Sequence, residues 1–226
     1  MKTLDKEQYQ ALRKDAKVLA ADSHGDKVLK LTNGQIMKLF RRKRLFSSAL
    51  IYPYAKRFAA NVKQLQKLAI PTVSKLDLLR IPSISRIAVA YQPLPGDSLD
   101  DLIQQARFNE NLISQFAAFL ATLHTQGVYF RSIHLGNVIN TPGDKLGLID
   151  VSDMKIYRHA LPASLCARNM RHFCRYPEHV EALFPAGRGD VFLRSYLAAL
   201  DISDNKKRPF EVLISKQLKK YGVMSG

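Results

Sequence analysis

YFRSIHLGNVINTPGDKLGLID, residues 129–150, carries two short apolar runs, VIN and LGLID, on either side of the turn TPGDK. Runs this short, separated by a Pro-Gly-Asp turn, predict a small β-hairpin, and the polar stretch SIHLGN in front of it predicts a loop. The segment NENLISQFAAFLATLHTQG at 109–127 precedes that loop, with apolar residues at helical spacing and a closing Gly127 suited to a helix C-cap. Residues 160–220 read as mainly helical. A loop and a small hairpin are thus set between helices.

Upstream the periodicity changes from about 3.6 to 2. Residues 4–16 have helical composition and predict a solvated leading helix. Three β-like runs follow, KVLAAD at 17–22, KVLKLT at 27–32 and QIMKLF at 35–40, and Asn33-Gly34 is a two-residue hairpin signal between the last two. YAKRFAANVKQLQKLA at 54–69 places Phe58, Val62, Leu65 and Leu68 on one helical face and must stop before Ile70-Pro71. KLDLLRI and RIAVAYQ return to strand. Two prolines and a glycine in PLPGDS, 93–98, cannot continue a strand and predict a hinge. Beyond it Ser98 caps a helix whose first turn holds Asp100 and Asp101. The expected division is a β-rich unit over 1–92 with its leading helix, a hinge at 93–97 and a mainly helical unit over 98–226.

The chain has 226 residues, 46% hydrophobic and 24% charged, the composition of an ordinary globular protein. No stretch approaches the roughly 20 consecutive apolar residues of a membrane-spanning helix, and MKTLDKEQYQ lacks the apolar segment of a secretory signal. A cytoplasmic location is expected. Cys166 and Cys174 form no CxxC pair, and their spacing to His172 and His179 matches no structural zinc pattern, so both are expected to be reduced, buried thiols.

Charge says more. The formal net charge is +16, and residues 27–76 hold twelve Lys and Arg with no Asp or Glu. Such a field draws anionic partners: nucleic acid, an acidic membrane surface or a phosphorylated substrate. Arg41-Arg42-Lys43-Arg44 is either a solvated face or a contact for anionic lipid or sugar phosphate. Arg168, Arg171 and Arg175 share a helical face and either bind an acceptor's phosphates or keep that unit soluble. Aromatics are not interleaved with the basic residues in an RNA-binding pattern, so nucleic acid ranks last.

Ile133-His134-Leu135-Gly136-Asn137 resembles the "DLHxGN" catalytic loop of bacterial small-molecule and sugar kinases, and Leu148-Ile149-Asp150 resembles the metal-binding strand end that follows it, thirteen residues beyond Asn137. Ile36-Met37-Lys38-Leu39-Phe40 is similar to the third-strand "V-A-I-K" segment. Together with the helix ending "LAIPTV" and the hinge "YQPLPGDSL", these motifs resemble the lipopolysaccharide-core kinases of Gram-negative bacteria over most of 17–160. The resemblance implies an α+β, protein-kinase-like two-lobe fold, with an antiparallel-sheet N-lobe and a mainly helical C-lobe. It implies ATP and Mg²⁺ as cofactors. Lys38 would hold the phosphates, while Asn137 and Asp150 would offer the hard oxygen ligands that Mg²⁺ prefers. The implied acceptor is a heptose or Kdo sugar on an anionic glycolipid, which brings peripheral contact with the inner face of the cytoplasmic membrane.

Three departures set this chain apart. Counting back from Asn137, the catalytic-loop template H-x-D-x-x-x-x-N puts Ser132 where an Asp orients the acceptor hydroxyl. No carboxylate lies between residues 27 and 76 to pair with Lys38 from the following helix. ADSHGD at 21–26 offers Gly25 alone where a phosphate-covering loop carries several glycines. Loss of a general base costs about 10²- to 10⁴-fold and leaves electrostatic catalysis in place. Ser132 and His134 are therefore the candidates nearest the acceptor, with Asp153 or His134 as a substitute for the missing carboxylate. Two readings follow: a sugar kinase with weakened activity, or a pseudokinase serving as an adaptor in cell-envelope assembly or stress tolerance.

Overall fold

The computed structural model describes residues 1–41, 54–185 and 189–223, which form an α+β protein of two compact units. The first comprises Met1–Leu94 and Asp150–Asp153; the second comprises Pro95–Ile149 and Met154–Gly226.

A six-stranded sheet organises the first unit. Its strands are β1 (Lys2–Thr3), β2 (Lys17–Asp22), β3 (Gly25–Lys30), β4 (Ile36–Arg41), β5 (Ser74–Ile81) and β6 (Arg86–Gln92), in the order β1-β5-β6-β4-β3-β2. Five strands run antiparallel as the alternation predicts, but β1 pairs parallel to β5, so the sheet is mixed rather than wholly antiparallel. A two-residue strand leaves no period to read, which is why the expectation missed it. The β3–β4 hairpin also differs. Leu31 N–H donates to the Gln35 carbonyl at 2.8 Å and Gly34 N–H to the Leu31 carbonyl at 3.0 Å, so the tip is a three-residue loop with Gly34 left-handed at φ +80°.

Alternation gives each sheet face its own cover. Leu29, Met37, Leu39, Leu79, Ile81 and Ala88 cluster with Tyr9 of α1 (Lys6–Lys14), a helix opened by an Asp5/Gln8 capping box. α2 (Tyr54–Lys67) buries Phe58, Val62 and Leu65; the Phe58 ring stacks on Tyr91 of β6 at 5.3 Å and lies 6.5 Å from Phe40 of β4. The segment Asp150–Asp153, expected with the second unit, clusters with the first.

In the second unit α3 (Leu99–Gln104) starts at Ser98, whose hydroxyl accepts from Asp101 N–H at 3.0 Å, and α4 (Glu110–Thr125) starts at the Asn109 cap. β7 (Asp97–Ser98), β9 (Val138–Asn140) and β10 (Leu146–Leu148) make a small sheet, and β8 (Val128–Phe130) pairs with β11 (Met154–Ile156). Gly96, at φ +124°, permits the β7–β9 approach, because a Cβ there would stand 2.0 Å from the Asn140 carbonyl oxygen. α5 (Ala163–Met170), α6 (Pro177–Leu183), α7 (Gly189–Ala198) and α8 (Asp204–Lys219) complete the unit around Phe116, Phe173, Phe184 and Phe192. No helix among the described residues is long and apolar enough to cross a membrane. Arg42, Lys43 and Arg44 of the basic run lie outside the described residues.

Candidate functional site

In β4 the buried Met37 and Leu39 face α1, so Lys38 between them faces the opposite side of the sheet, with Phe40 and the Val89 register partner. Its Nζ lies 2.5 Å from Asp150 Oδ1 and 5.8 Å from the centre of the Phe40 ring. The pair joins positions 112 residues apart in sequence, and it leaves the Lys38 side chain 21% and the Asp150 side chain 42% exposed. The carboxylate that pairs with Lys38 thus comes from much later in the chain and not from α2.

Asp150 is held in a costly conformation. Its φ is +52°, in the left-handed region that a residue with a Cβ enters at about 1 kcal/mol. Asn61 of α2 donates its amide to the Val151 carbonyl at 2.7 Å, and Ser152 Oγ lies 3.4 Å from Asp150 Oδ1. Burial, and secondarily the Asp150 charge, push the Tyr91 phenol well above its ordinary value, so Tyr91 remains protonated. An ammonium and a carboxylate with partial solvent access can take up a phosphate and a cation respectively.

Ser132, His134 and Asn137 come together in the second unit. Asn137 is 7% exposed; its amide nitrogen donates to the Ser132 carbonyl at 2.9 Å and its backbone N–H to the His134 carbonyl at 2.9 Å. Its own carbonyl accepts from Ile149 N–H at 3.1 Å, which ties the loop to the end of the hairpin. With the amide nitrogen engaged, the side-chain oxygen is the atom Asn137 can offer a cation.

His134 belongs to a cluster the sequence did not disclose. Its ring stacks on His179 of α6 at 6.0 Å and 13°, and lies 5.1 Å from Tyr176. His179 Nε2 is 2.9 Å from Asp100 Oδ1 on α3. Gly136 leaves room for the imidazole, since a Cβ there would meet His134 ring atoms at 3.1 and 3.2 Å. Asp100 was legible as a first-turn acid, but its partner 79 residues away was not.

The strand leading into the loop is anchored by buried polar groups. Asn169 Nδ2 donates to the Phe130 carbonyl at 2.9 Å, so its Oδ1 must accept from His124 Nε2–H at 3.0 Å. His124 Nδ1 is then the acceptor for the Tyr196 hydroxyl at 2.8 Å. Burial pushes His124 down to about 4, which fixes the neutral ring. Cys166 and Cys174 are buried, and burial raises their thiols to about 11 and about 12. No group of three or more metal-ligating His, Cys, Asp or Glu side chains occurs among the described residues. Cavities of about 410 and 340 Å³ in the second unit are lined by none of Ser132, His134 and Asn137.

No protein-family model matches the chain, and no curated protein does. The side chains carry the functional reading by themselves: an amine–acid pair on a strained backbone in one unit, and a serine, histidine and asparagine loop in the other.

Proposed function

We propose that this chain is a protein-kinase-like phosphotransferase that binds ATP with Mg²⁺ and transfers phosphate to a sugar hydroxyl of lipopolysaccharide core. The observation that carries this reading is the contact between Lys38 and Asp150, an amine and an acid brought together across 112 residues on a left-handed backbone. Strain of that kind persists where the surroundings over-determine it, and it concentrates at working sites. Lys38 holds phosphate oxygens and the Asp150 carboxylate holds the metal, while Asn137 offers an amide oxygen of the hard type that Mg²⁺ accepts. When bound, Mg²⁺ neutralises the charge that builds up on the phosphates. Ser132 and His134 lie nearest the acceptor. A serine there cannot take the hydroxyl proton as a carboxylate would, so the rate is reduced by about 10²- to 10⁴-fold and rests on positioning and charge. The acid-free basic stretch of 27–76 suits an anionic glycolipid at the inner membrane face.

A second reading is favoured by Ser132 itself: a pseudokinase that retains nucleotide binding and acts as an adaptor in envelope assembly or stress tolerance. Thermal shift with ATP and Mg²⁺ tests what both share, and Asp150→Ala removes that shift. Labelled phosphate transfer to a core oligosaccharide then separates them. No transfer after long incubation rejects catalysis, and no ATP-dependent shift in the unaltered chain rejects both.

A further inference from the structure

Residues 154–177 contain no Asp or Glu, but they hold Lys155, Arg158, Arg168, Arg171 and Arg175. The last three form a row. Arg171 and His172 keep right-handed helical dihedrals between α5 and the short 3-10 turn at Phe173–Arg175, so the spacing of three and then four holds one face from 168 to 175. All three are exposed, and none is ion-paired with a carboxylate among the described residues. The next acid, Glu178, is also exposed and forms no ion pair with Arg175.

Tyr176 follows directly. It is 38% exposed, and its ring centre is 5.1 Å from His134 and 4.9 Å from His179. His179 is 3% exposed, is bonded through Nε2 to Asp100, and has its Nδ1 buried with no hydrogen-bond partner among the described residues. An aromatic ring braced in this way offers a fixed apolar face at little entropic cost on binding. Arginine supplies a planar fork that fits phosphate or carboxylate. An acidic sugar presents both counterparts, a C–H face and an anionic group, and the acceptor in the reading above is a sugar of an anionic glycolipid.

We propose that Tyr176, Arg168, Arg171 and Arg175 form the acceptor subsite beside His134, and that they take a sugar bearing a phosphate or carboxylate; this rests on the phosphotransfer reading above. A helix face whose arginines serve solubility alone attracts any anion and binds inorganic phosphate as well as it binds a sugar phosphate.

The test is a ligand-observed NMR titration of the full chain with a hexose 6-phosphate, a hexuronic acid, the neutral hexose, inorganic phosphate and a single-stranded oligonucleotide. The acidic hexoses are expected to bind about tenfold or more tightly than the neutral hexose, the scale of one charge-assisted hydrogen bond. The sugar phosphate should also exceed inorganic phosphate, and the order of phosphate and carboxylate identifies the preferred group. Tyr176→Phe retains binding, Tyr176→Ala weakens it several-fold, and the exposed double variant R171E/R175E abolishes it without touching the core. Equal binding of neutral and acidic hexoses overturns the subsite, as does an unchanged affinity in R171E/R175E. A salt-sensitive oligonucleotide complex tighter than any sugar complex overturns it in favour of nucleic acid. The Mg²⁺-ATP thermal shift is followed in the same samples. Sugar binding without that shift rejects phosphotransfer and keeps an acidic-sugar site, whereas the shift without sugar binding rejects the subsite alone.

Discussion

Removing the amine of Lys38 takes from Asp150 its nearest counter-charge, 2.5 Å away. Lys38→Met is expected to abolish the ATP-dependent thermal shift, yet to change the melting free energy of the free protein by only about 1 kcal/mol, because the pair is partly solvated. His124 behaves in the opposite way, acting on stability alone. Its folded-state value is lowered to about 4, so the unfolded chain takes up a proton near pH 6.5 and the folded chain does not. The contribution of the neutral ring is complete above about pH 6.5 and is lost as pH falls toward 4, at about 1.4 kcal/mol per unit. Melting curves at pH 7 and 5 should therefore show a loss of about 2 kcal/mol, and His124→Gln should start less stable but lose less on acidification. Of these residues, Lys38, Asn137 and Asp150 were legible as candidates from motif and spacing. Asn61, Asp100, Tyr176 and His179 were not, because each acts through a partner that only the tertiary fold supplies.

Among the elements, α2 does more than cover the sheet. Its Asn61 holds the carbonyl of Val151, the residue that follows the strained Asp150. Asn61→Leu should cost about 1–2 kcal/mol by leaving that carbonyl unpaired, and amide hydrogen exchange should rise at 150–153 before it rises elsewhere. Gly96→Ala is expected to cost more, since its Cβ would stand 2.0 Å from the Asn140 carbonyl oxygen and the backbone is already at φ +124°. Loss of β7–β9 protection in exchange measurements checks it. Much of the secondary structure was plain in the sequence: alternation marked β2 to β6, VIN and LGLID marked β9 and β10, and Pro71, Gly127 and Ser98 punctuated the helices, whereas the two- and three-residue strands β7, β8 and β11 were too short to show a period. The parallel strand β1 and the third residue of the β3–β4 loop were hidden, because strand pairing and turn geometry depend on what lies opposite.

On the scale of the whole chain, a net charge of +16 with two long acid-free stretches means repulsion within the folded state. Raising salt from about 10 to about 150 mM should raise the melting temperature, with sulfate more effective than chloride. That balance could be read from composition. The segment exchange could not: nothing in LIDVSD announces that Asp150–Asp153 joins a unit whose remaining residues end at Leu94. The consequence falls on synthesis. While the ribosome has released only the first 94 residues, Lys38 lacks its acid and Asn61 lacks its carbonyl, so that unit matures only after some sixty more residues have emerged from the exit tunnel, the interval between Leu94 and Asp153. A nascent chain stalled at that point, or a gene fragment ending there, leaves an unfinished fold exposed to proteases.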